Sequence, residues 1–299
     1  MQKSVSEKVY FIGSHAFCAP VIEPALYLVA TPIGNLADIT IRALQVLAQV
    51  DILACEDTRV TRVLLEHYGI QKKTFLYHEH NAQKAGVKLL EALAENKTVA
   101  LVSDAGTPLI SDPGFKLVKE ARKAGYKIVP IPGASALLAS IITTGFPTDS
   151  FFFAGFLSAK KTQRRKRLEQ LKSISTTLVF YESPHRLVET LQDMVTIFTA
   201  DRSAAICREL TKKFETIDVS NLGNLVEKYG KQIRIRGEIV VLVGEATASL
   251  EKMSTQETDA MLLELLKIHP AAKAAALVAK KTGLKKQELF QRSTLLKGG

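Results

Sequence analysis

Residues 98–114 read TVALVSDAGTPLISDPG. An apolar run of strand length, residues 98–102, stops at Ser103-Asp104-Ala105-Gly106-Thr107-Pro108. A second polar turn, Ser111-Asp112-Pro113-Gly114, then opens an amphipathic segment at 115–124 that Gly125 ends. Strand, glycine turn, helix is the repeating half of a parallel crossover unit. The alternation continues on both sides, with strands expected at 26–31, 51–55, 74–77 and 127–129, and helices at 39–48, 60–68 and 84–94. Strands that are apolar throughout and separated by helices form a parallel sheet covered on both faces. The fold class is α/β, with a first domain at 25–146 preceded by a tail at 1–24.

A second α/β domain is expected at 147–245, with strands at 151–156, 177–181, 204–207, 216–219 and 238–243 and helices at 185–198 and 221–229. After residue 245 no strand candidate remains. Helices at 256–269, 271–282 and 285–296 read as a separate helical domain, 246–299, of helix-turn-helix type.

The 299 residues are 46% apolar and 23% charged, which excludes a disordered chain. Cys18, Cys55 and Cys207 form neither a CxxC pair nor a Cys/His cluster, so a disulfide framework and a structural zinc are not indicated, and a reducing cytoplasm fits. The apolar run at 9–19 is broken by Gly13-Ser14-His15 and reads as tail rather than secretion signal. No run approaches the roughly 18–20 apolar residues of a membrane-spanning helix. The net charge of +10 is uneven: +1 over residues 1–150, +5 over 151–245 and +4 over 246–299. Residues 160–172 hold seven bases against Glu169 alone, a patch suited to a polyanion.

In open α/β sheets ligands bind at the carboxyl ends of strands. Four such junctions stand out: Thr31-Pro32-Ile33-Gly34-Asn35, the 103–108 turn, Ile131-Pro132-Gly133-Ala134-Ser135-Ala136, and Tyr181-Glu182-Ser183-Pro184-His185-Arg186. A helix N-cap with proline at the first helical position accounts for Asp112-Pro113 and for Ser183-Pro184. It leaves Asp104, Tyr181, Glu182 and Arg186 without a structural task. Glu56-Asp57-Thr58-Arg59 and His78-Glu79-His80-Asn81 follow the second and third strands and fit either a shared pocket or solvated loops. The H-x-H pattern has no third ligand, so no metal is expected. The absence of G-x-G-x-x-G argues against an ordinary dinucleotide site.

Taken together and in order, ATPIGN (30–35), ACEDTR (54–59), HEHN (78–81), SDAGTPLISDPG (103–114), IPGAS (131–135) and FYESPHR (180–186) resemble the tetrapyrrole methylase superfamily. Within it the likeness is to the branch that methylates a ribose 2′-hydroxyl of small-subunit (16S) ribosomal RNA, on a decoding-centre cytidine. The resemblance covers about residues 25–245, and the helical tail is also like that branch. It implies a dimer that binds S-adenosylmethionine between two α/β domains, touching Pro32, Asp104, Ala105, Gly106, Thr107, Ser135, Ala136, Tyr181 and Glu182.

A ribosomal RNA substrate needs phosphate contacts, which Lys160, Lys161, Arg164, Arg165, Lys166 and Arg167 offer. Lys273, Lys280, Lys281, Lys285 and Lys286 of the tail extend that basic surface. A ribose hydroxyl is a poor acid, so methyl transfer benefits from a base and from a cation beside the developing alkoxide. Glu56, Asp57 or His78 are candidates for the base, and Arg59 or Arg186 for the cation. Competing readings are a methyltransferase acting on a small tetrapyrrole, which shares the cofactor site, and an RNA-binding factor without catalysis.

Overall fold

The computed structural model describes residues 8–245, 255–282 and 284–297. Residues 1–7 of the expected tail, residues 246–254 at the expected start of the helical domain, and the side chains of Lys280 and Lys281 lie outside the described residues.

A hairpin of β1 (Val9–Ile12) and β2 (His15–Cys18) comes first. The first domain follows as β3 (Leu26–Val29), α1 (Ile41–Gln49), β4 (Ile52–Cys55), α2 (Thr58–His67), β5 (Thr74–Leu76), α3 (Ala82–Ala94), β6 (Val99–Val102), α4 (Phe115–Lys123), β7 (Ile128–Ile131) and α5 (Ala136–Ile141). Its five strands are parallel in the order β5-β4-β6-β3-β7. β6 is buried at every position because helices cover both faces. Val29, Leu47 and Leu53 fill one side of the sheet, and Leu26, Leu89, Leu101 and Leu117 the other. Strand β3 connects to β4 across β6, while β6 connects to β7 across β3. Neighbouring strands thus send their chains in opposite directions, and a crevice opens between their carboxyl ends.

The stretch expected to be a tail is instead part of this domain from residue 8 onward. Tyr10 and Ala19 are buried in its core, and the Phe11 N–H donates to the Tyr68 carbonyl at 2.8 Å. The Gly13-Ser14 break in the apolar run is the hairpin turn itself, with Gly13 at φ +60°.

The second domain comprises β8 (Phe151–Phe156), α6 (Lys161–Leu171), β9 (Thr177–Glu182), α7 (Leu187–Phe198), β10 (Ser203–Arg208), β11 (Thr216–Asn221), α8 (Leu222–Gly230) and β12 (Ile239–Val243). Its sheet, β11-β10-β12-β9-β8, is mixed: β8 and β9 are parallel across α6, and the remaining pairs are antiparallel. Ile33 and Ile141 of the first domain pack with Val179, Cys207 and Val240 of the second, so an apolar seam joins the two. Helices α9 (Thr255–Leu266), α10 (Ala271–Thr282) and α11 (Lys286–Lys297) share a small core of Leu262, Ala275, Val278 and Leu289. At the surface of these helices Arg292 clasps Asp259 through bonds of 2.8 and 2.6 Å. Among the described residues no helix is long and apolar enough to cross a membrane.

Candidate active site

Four strand ends are tied into one wall at the crevice. The Thr31 N–H donates to the Gly106 carbonyl at 2.9 Å and the Gly106 N–H to that of Thr31 at 3.0 Å, joining the turns after β3 and β6. Thr107 Oγ1 donates to the Ala134 carbonyl at 3.3 Å, which adds the turn after β7. Asp104 Oδ1 accepts the Asp57 N–H at 2.9 Å and adds the loop after β4. Asp104 therefore has a structural task that its sequence context did not reveal. Gly106 stands at φ +79°, and a Cβ there would lie 3.3 Å from Ile33 Cγ2.

This wall faces Tyr181, Glu182, Cys207 and Val240 of the second domain across a cleft of about 450 Å³. Of the expected cofactor contacts, Asp104, Ala105, Gly106, Thr107, Ser135, Ala136, Tyr181 and Glu182 all line it. Pro32 lines an adjoining cavity of about 330 Å³ that shares Ile33, Asp104, Ala105 and Glu238 with the first. Ser135 also caps α5, accepting the Leu138 N–H at 3.5 Å. The carboxylate of Glu182 is occupied within its own domain: it accepts from the Ser183 N–H and Thr190 Oγ1, both at 2.7 Å, and pairs with Arg186 at 2.8 Å.

The expected catalytic residues divide. Glu56 lines the cleft. Asp57 caps α2 and pairs with Arg59 at 2.5 Å, and that pairing holds its carboxyl down at about 2. The Arg59 side chain is 88% exposed. Arg186, fixed by Glu182 and the Leu157 carbonyl, braces the turn after β9 and does not line the cleft. His78 is held by Asn81, whose Oδ1 accepts the His78 N–H at 2.9 Å, and its charge counters the upward shift of Glu56.

Asp112 corrects the sequence reading most directly. Helix α4 starts at Phe115 with Gly114, at φ +139°, in the cap position, so Asp112 is no helix cap. It lines the cleft instead, on a loop where Leu109 and Ser111 adopt φ of +71° and +68°. Non-glycine residues rarely hold that conformation, and it turns the loop back over the crevice. Ser183 likewise does not cap a helix, because α7 begins only at Leu187.

Three carboxyls of the first domain therefore meet in one cleft, facing Glu182 and Glu238 of the second. Burial raises the pKa of each; Asp104 adds to the shift of Glu56, Glu56 and Asp104 add to that of Asp112, and Asp57 adds to that of Asp104. Asp112 is pushed up to about 6, first by burial and then by Glu56, while Ser103 opposes the shift by hydrogen bonding. Glu56 and Asp104 move in the same direction for the same leading reason. Ile33, Ala136, Cys207 and Val240 supply apolar surface beside them. An acidic edge on an apolar floor suits a ligand with a flat ring and positive charge. Among the described residues no group of three or more His, Cys, Asp or Glu side chains is arranged to hold a metal ion.

The basic run also divides. Arg164 is 1% exposed, with its Nε 2.8 Å from Asp193 Oδ2, so it braces α6 against α7 and presents no charge to RNA. Arg165 reaches the same carboxylate at 2.6 Å and is half-exposed. Lys160, Lys161, Lys166 and Arg167 lie at the surface.

Comparison with known proteins places this architecture. The family model described as Tetrapyrrole (Corrin/Porphyrin) Methylases matches residues 25–226, and the one described as the RsmI C-terminal HTH domain matches residues 252–297. The chain is 54% identical over 286 residues to ribosomal RNA small subunit methyltransferase I of Mesorhizobium japonicum, covering 96% of this chain and 97% of that protein. It is 48% identical over 269 residues to the protein of that name from Vibrio cholerae, covering 90% and 93%. Among solved structures, diphthine synthase has a TM-score of 0.59 at 18% identity, covering 73% of this chain and 89% of that one. Uroporphyrin-III-C-methyltransferase from Thermus thermophilus has a TM-score of 0.54 at 17% identity, covering 76% and 97%. Those two likenesses are of fold. With the matched domain spanning the first wall and the Tyr181, Glu182 and Cys207 part of the second, the chain belongs to the tetrapyrrole methylase family.

Proposed function

We propose that the protein is a methyltransferase of small-subunit (16S) ribosomal RNA that uses S-adenosylmethionine and acts on the ribose 2′-hydroxyl of a decoding-centre cytidine. The observation that carries this reading is identity of 44–54% to proteins named ribosomal RNA small subunit methyltransferase I along most of the chain. The match includes the helical domain.

The residues present fit S-adenosylmethionine. The cleft is large enough at about 450 Å³, and Gly106 leaves free the space that a Cβ would fill. Asp104 and Glu56 offer negative charge to a sulfonium and an ammonium, while Ile33, Ala136 and Val240 offer apolar surface to an adenine. Bound there, the cofactor supplies a methyl group on a positively charged sulfur. The bridged turns at Thr31, Gly106 and Thr107 keep the floor rigid, and Tyr181 closes it from the second domain. Positioning of this kind accounts for much of the rate in a displacement whose leaving group is already neutral. Lys160, Lys161, Lys166 and Arg167 fit contact with RNA phosphates. The exposed Leu138 and Ile142 of the α5 segment, with Phe115, are apolar surface that a homodimer would cover. Small subunits as substrate accord with a cytoplasmic protein.

Incubating the protein with labelled S-adenosylmethionine and unmodified small ribosomal subunits, then mapping the methylated nucleoside, tests the reading. A 2′-O-methylcytidine in the decoding centre is the expected product. Label appearing only on carbon of an added tetrapyrrole, or none incorporated anywhere, would overturn it.

A further inference from the structure

The cleft contains one titratable group that neither cofactor contact nor helix capping explains. Asp112 lies outside any helix, and among the described residues no cation pairs with it. Its loop keeps two non-glycine residues in left-handed backbone, at Leu109 and Ser111. The Ser111 Oγ lies 3.5 Å from where a Cβ on Gly155 would stand, so the strained loop packs on β8. Strain retained at a loop that carries a carboxylate into a cleft is the pattern of a functional constraint.

From this placement we propose that Asp112 accepts the proton of the ribose 2′-hydroxyl, with Glu56 and Asp104 as the neighbours that set its basicity. The inference rests on the RNA-methylation reading above. As the bond between the ribose oxygen and the methyl carbon forms, the bond from that carbon to sulfur breaks and its electron pair stays on sulfur. The hydroxyl proton passes to an Asp112 carboxylate oxygen, and the O–H electron pair remains on the ribose oxygen. The products are a methylated ribose, a neutral thioether and a carboxylic acid that returns its proton to water. Charge balances throughout, and no further reagent is needed.

Two other candidates serve less well. Asp57 is committed to capping α2 and to Arg59, which makes it a weak base. Glu56 lines the same cleft, but it is flanked by His78, whose charge works against basicity. The groups that face Asp112 are Glu56 from the loop after β4, Asp104 and Ser103 from the end of β6, and Tyr181 across the cleft on β9. Two are carboxylates and two are hydroxyls. Removing either carboxylate therefore makes Asp112 a stronger acid and a weaker base.

The test uses the full-length chain with unmodified small subunits, and measures single-turnover methyl transfer between pH 5 and 9. D112N is expected to bind S-adenosylmethionine, followed by calorimetry, within threefold of the parent, and to lose about 100-fold or more in rate. The parent rate is expected to rise with pH through a limb near 6, where Asp112 titrates, and D112N to lack that limb. E56Q is expected to keep the limb but move it to lower pH, a shift that a merely structural role for Asp112 does not produce. A D112N protein that methylates at the parental single-turnover rate overturns the proposal. So does one whose rate loss is matched by an equal loss of cofactor affinity, or an E56Q profile that loses its limb altogether. If the parent itself places no label on a 2′-hydroxyl, the RNA-methylation reading has failed, and it fails separately from the role of this residue.

Discussion

Arg164 and Asp112 show what a single position hides in a sequence. Arg164 sits inside a run of bases, so composition assigns it to a solvated or RNA-binding face, whereas its guanidinium is buried on Asp193. The helical register explains this: Arg164, Leu168 and Leu171 share the buried side of α6. Replacing Arg164 with methionine leaves Asp193 with Arg165 as its remaining partner, and a loss of about 3 kcal/mol in unfolding free energy is expected, at the low end for a broken buried pair. The Asp193 carboxyl is held below its ordinary pKa by its two arginines despite its burial, so the contribution is present above about pH 4 and is lost as pH falls through the lowered value. Thermal unfolding at pH 7 and at pH 3 checks both statements. Asp112 has the opposite sign. Its pKa is raised from 3.8 to about 6, so its ionisation works against folding above that range. Two pKa units correspond to about 3 kcal/mol, and partial exposure reduces this to about 1 kcal/mol. D112N is therefore expected to melt a few degrees higher than the parent at pH 8 and at the same temperature near pH 4. Asp112-Pro113 had every local mark of a helix start, and only the left-handed backbone at Ser111, which no residue type there announces, turns the carboxylate into the cleft.

Most elements were legible because their pattern is local. Strands such as β6 and β12 are unbroken apolar runs, and they are the central strands of their sheets. What was not legible depends on distant partners. The β1–β2 hairpin alternates too weakly to predict, because it is tied down by hydrogen bonds to partners far along the chain, from the Phe11 N–H to the Tyr68 carbonyl and, just past β2, from Gln49 to the Ala19 carbonyl. The bridge between Thr31 and Gly106 joins turns more than 70 residues apart, and no pattern within either turn points to the other. That bridge makes a prediction at the scale of the element. G106A forces a β-carbon into φ +79° and to 3.3 Å from Ile33, which strains the backbone at the β3–β6 bridge and makes the Ile33 side chain give way by a few tenths of an ångström. An expected cost of about 1–2 kcal/mol in stability should accompany a loss of cofactor affinity of tenfold or more, measured by calorimetric titration. Unchanged affinity would mean that the wall does not need the bridge. Helix α6 gives a second. Changing Lys160, Lys161, Lys166 and Arg167 to glutamine removes four exposed bases and leaves Arg164 in place. The slope of log affinity for RNA against log salt is expected to shrink by about 3, since each phosphate no longer neutralised takes away roughly 0.7–0.9, with thermal stability unchanged.

At the scale of the molecule, the charge separates two tasks that the total of +10 conceals. The first half of the chain is nearly neutral and contributes one wall of the cleft, including Glu56, Asp104 and Asp112, while the second half contributes the other wall and most of the positive excess. Such a division is what methylation of a large polyanion requires. A cleft that attracts a small cation through carboxylates would repel phosphates, so the groups that hold RNA must lie elsewhere on the surface. The three C-terminal helices fit that need. Their core is their own, and Arg292 with Asp259 clasps these helices together at the surface. Their lysines at 273, 285 and 286 therefore add charge without being needed by the α/β domains. Removing residues 246–299 is expected to leave S-adenosylmethionine affinity within twofold of the full chain, because none of the described residues of that stretch lines the cleft. The same truncation is expected to weaken RNA binding at least tenfold at about 150 mM salt and to flatten its salt dependence, since each phosphate set free carries its own share of the counterion effect. Filter binding of small-subunit RNA at several salt concentrations, beside calorimetry of the cofactor, measures both. Equal RNA affinity and equal slope in the two proteins would confine RNA recognition to α6 and the cleft rim.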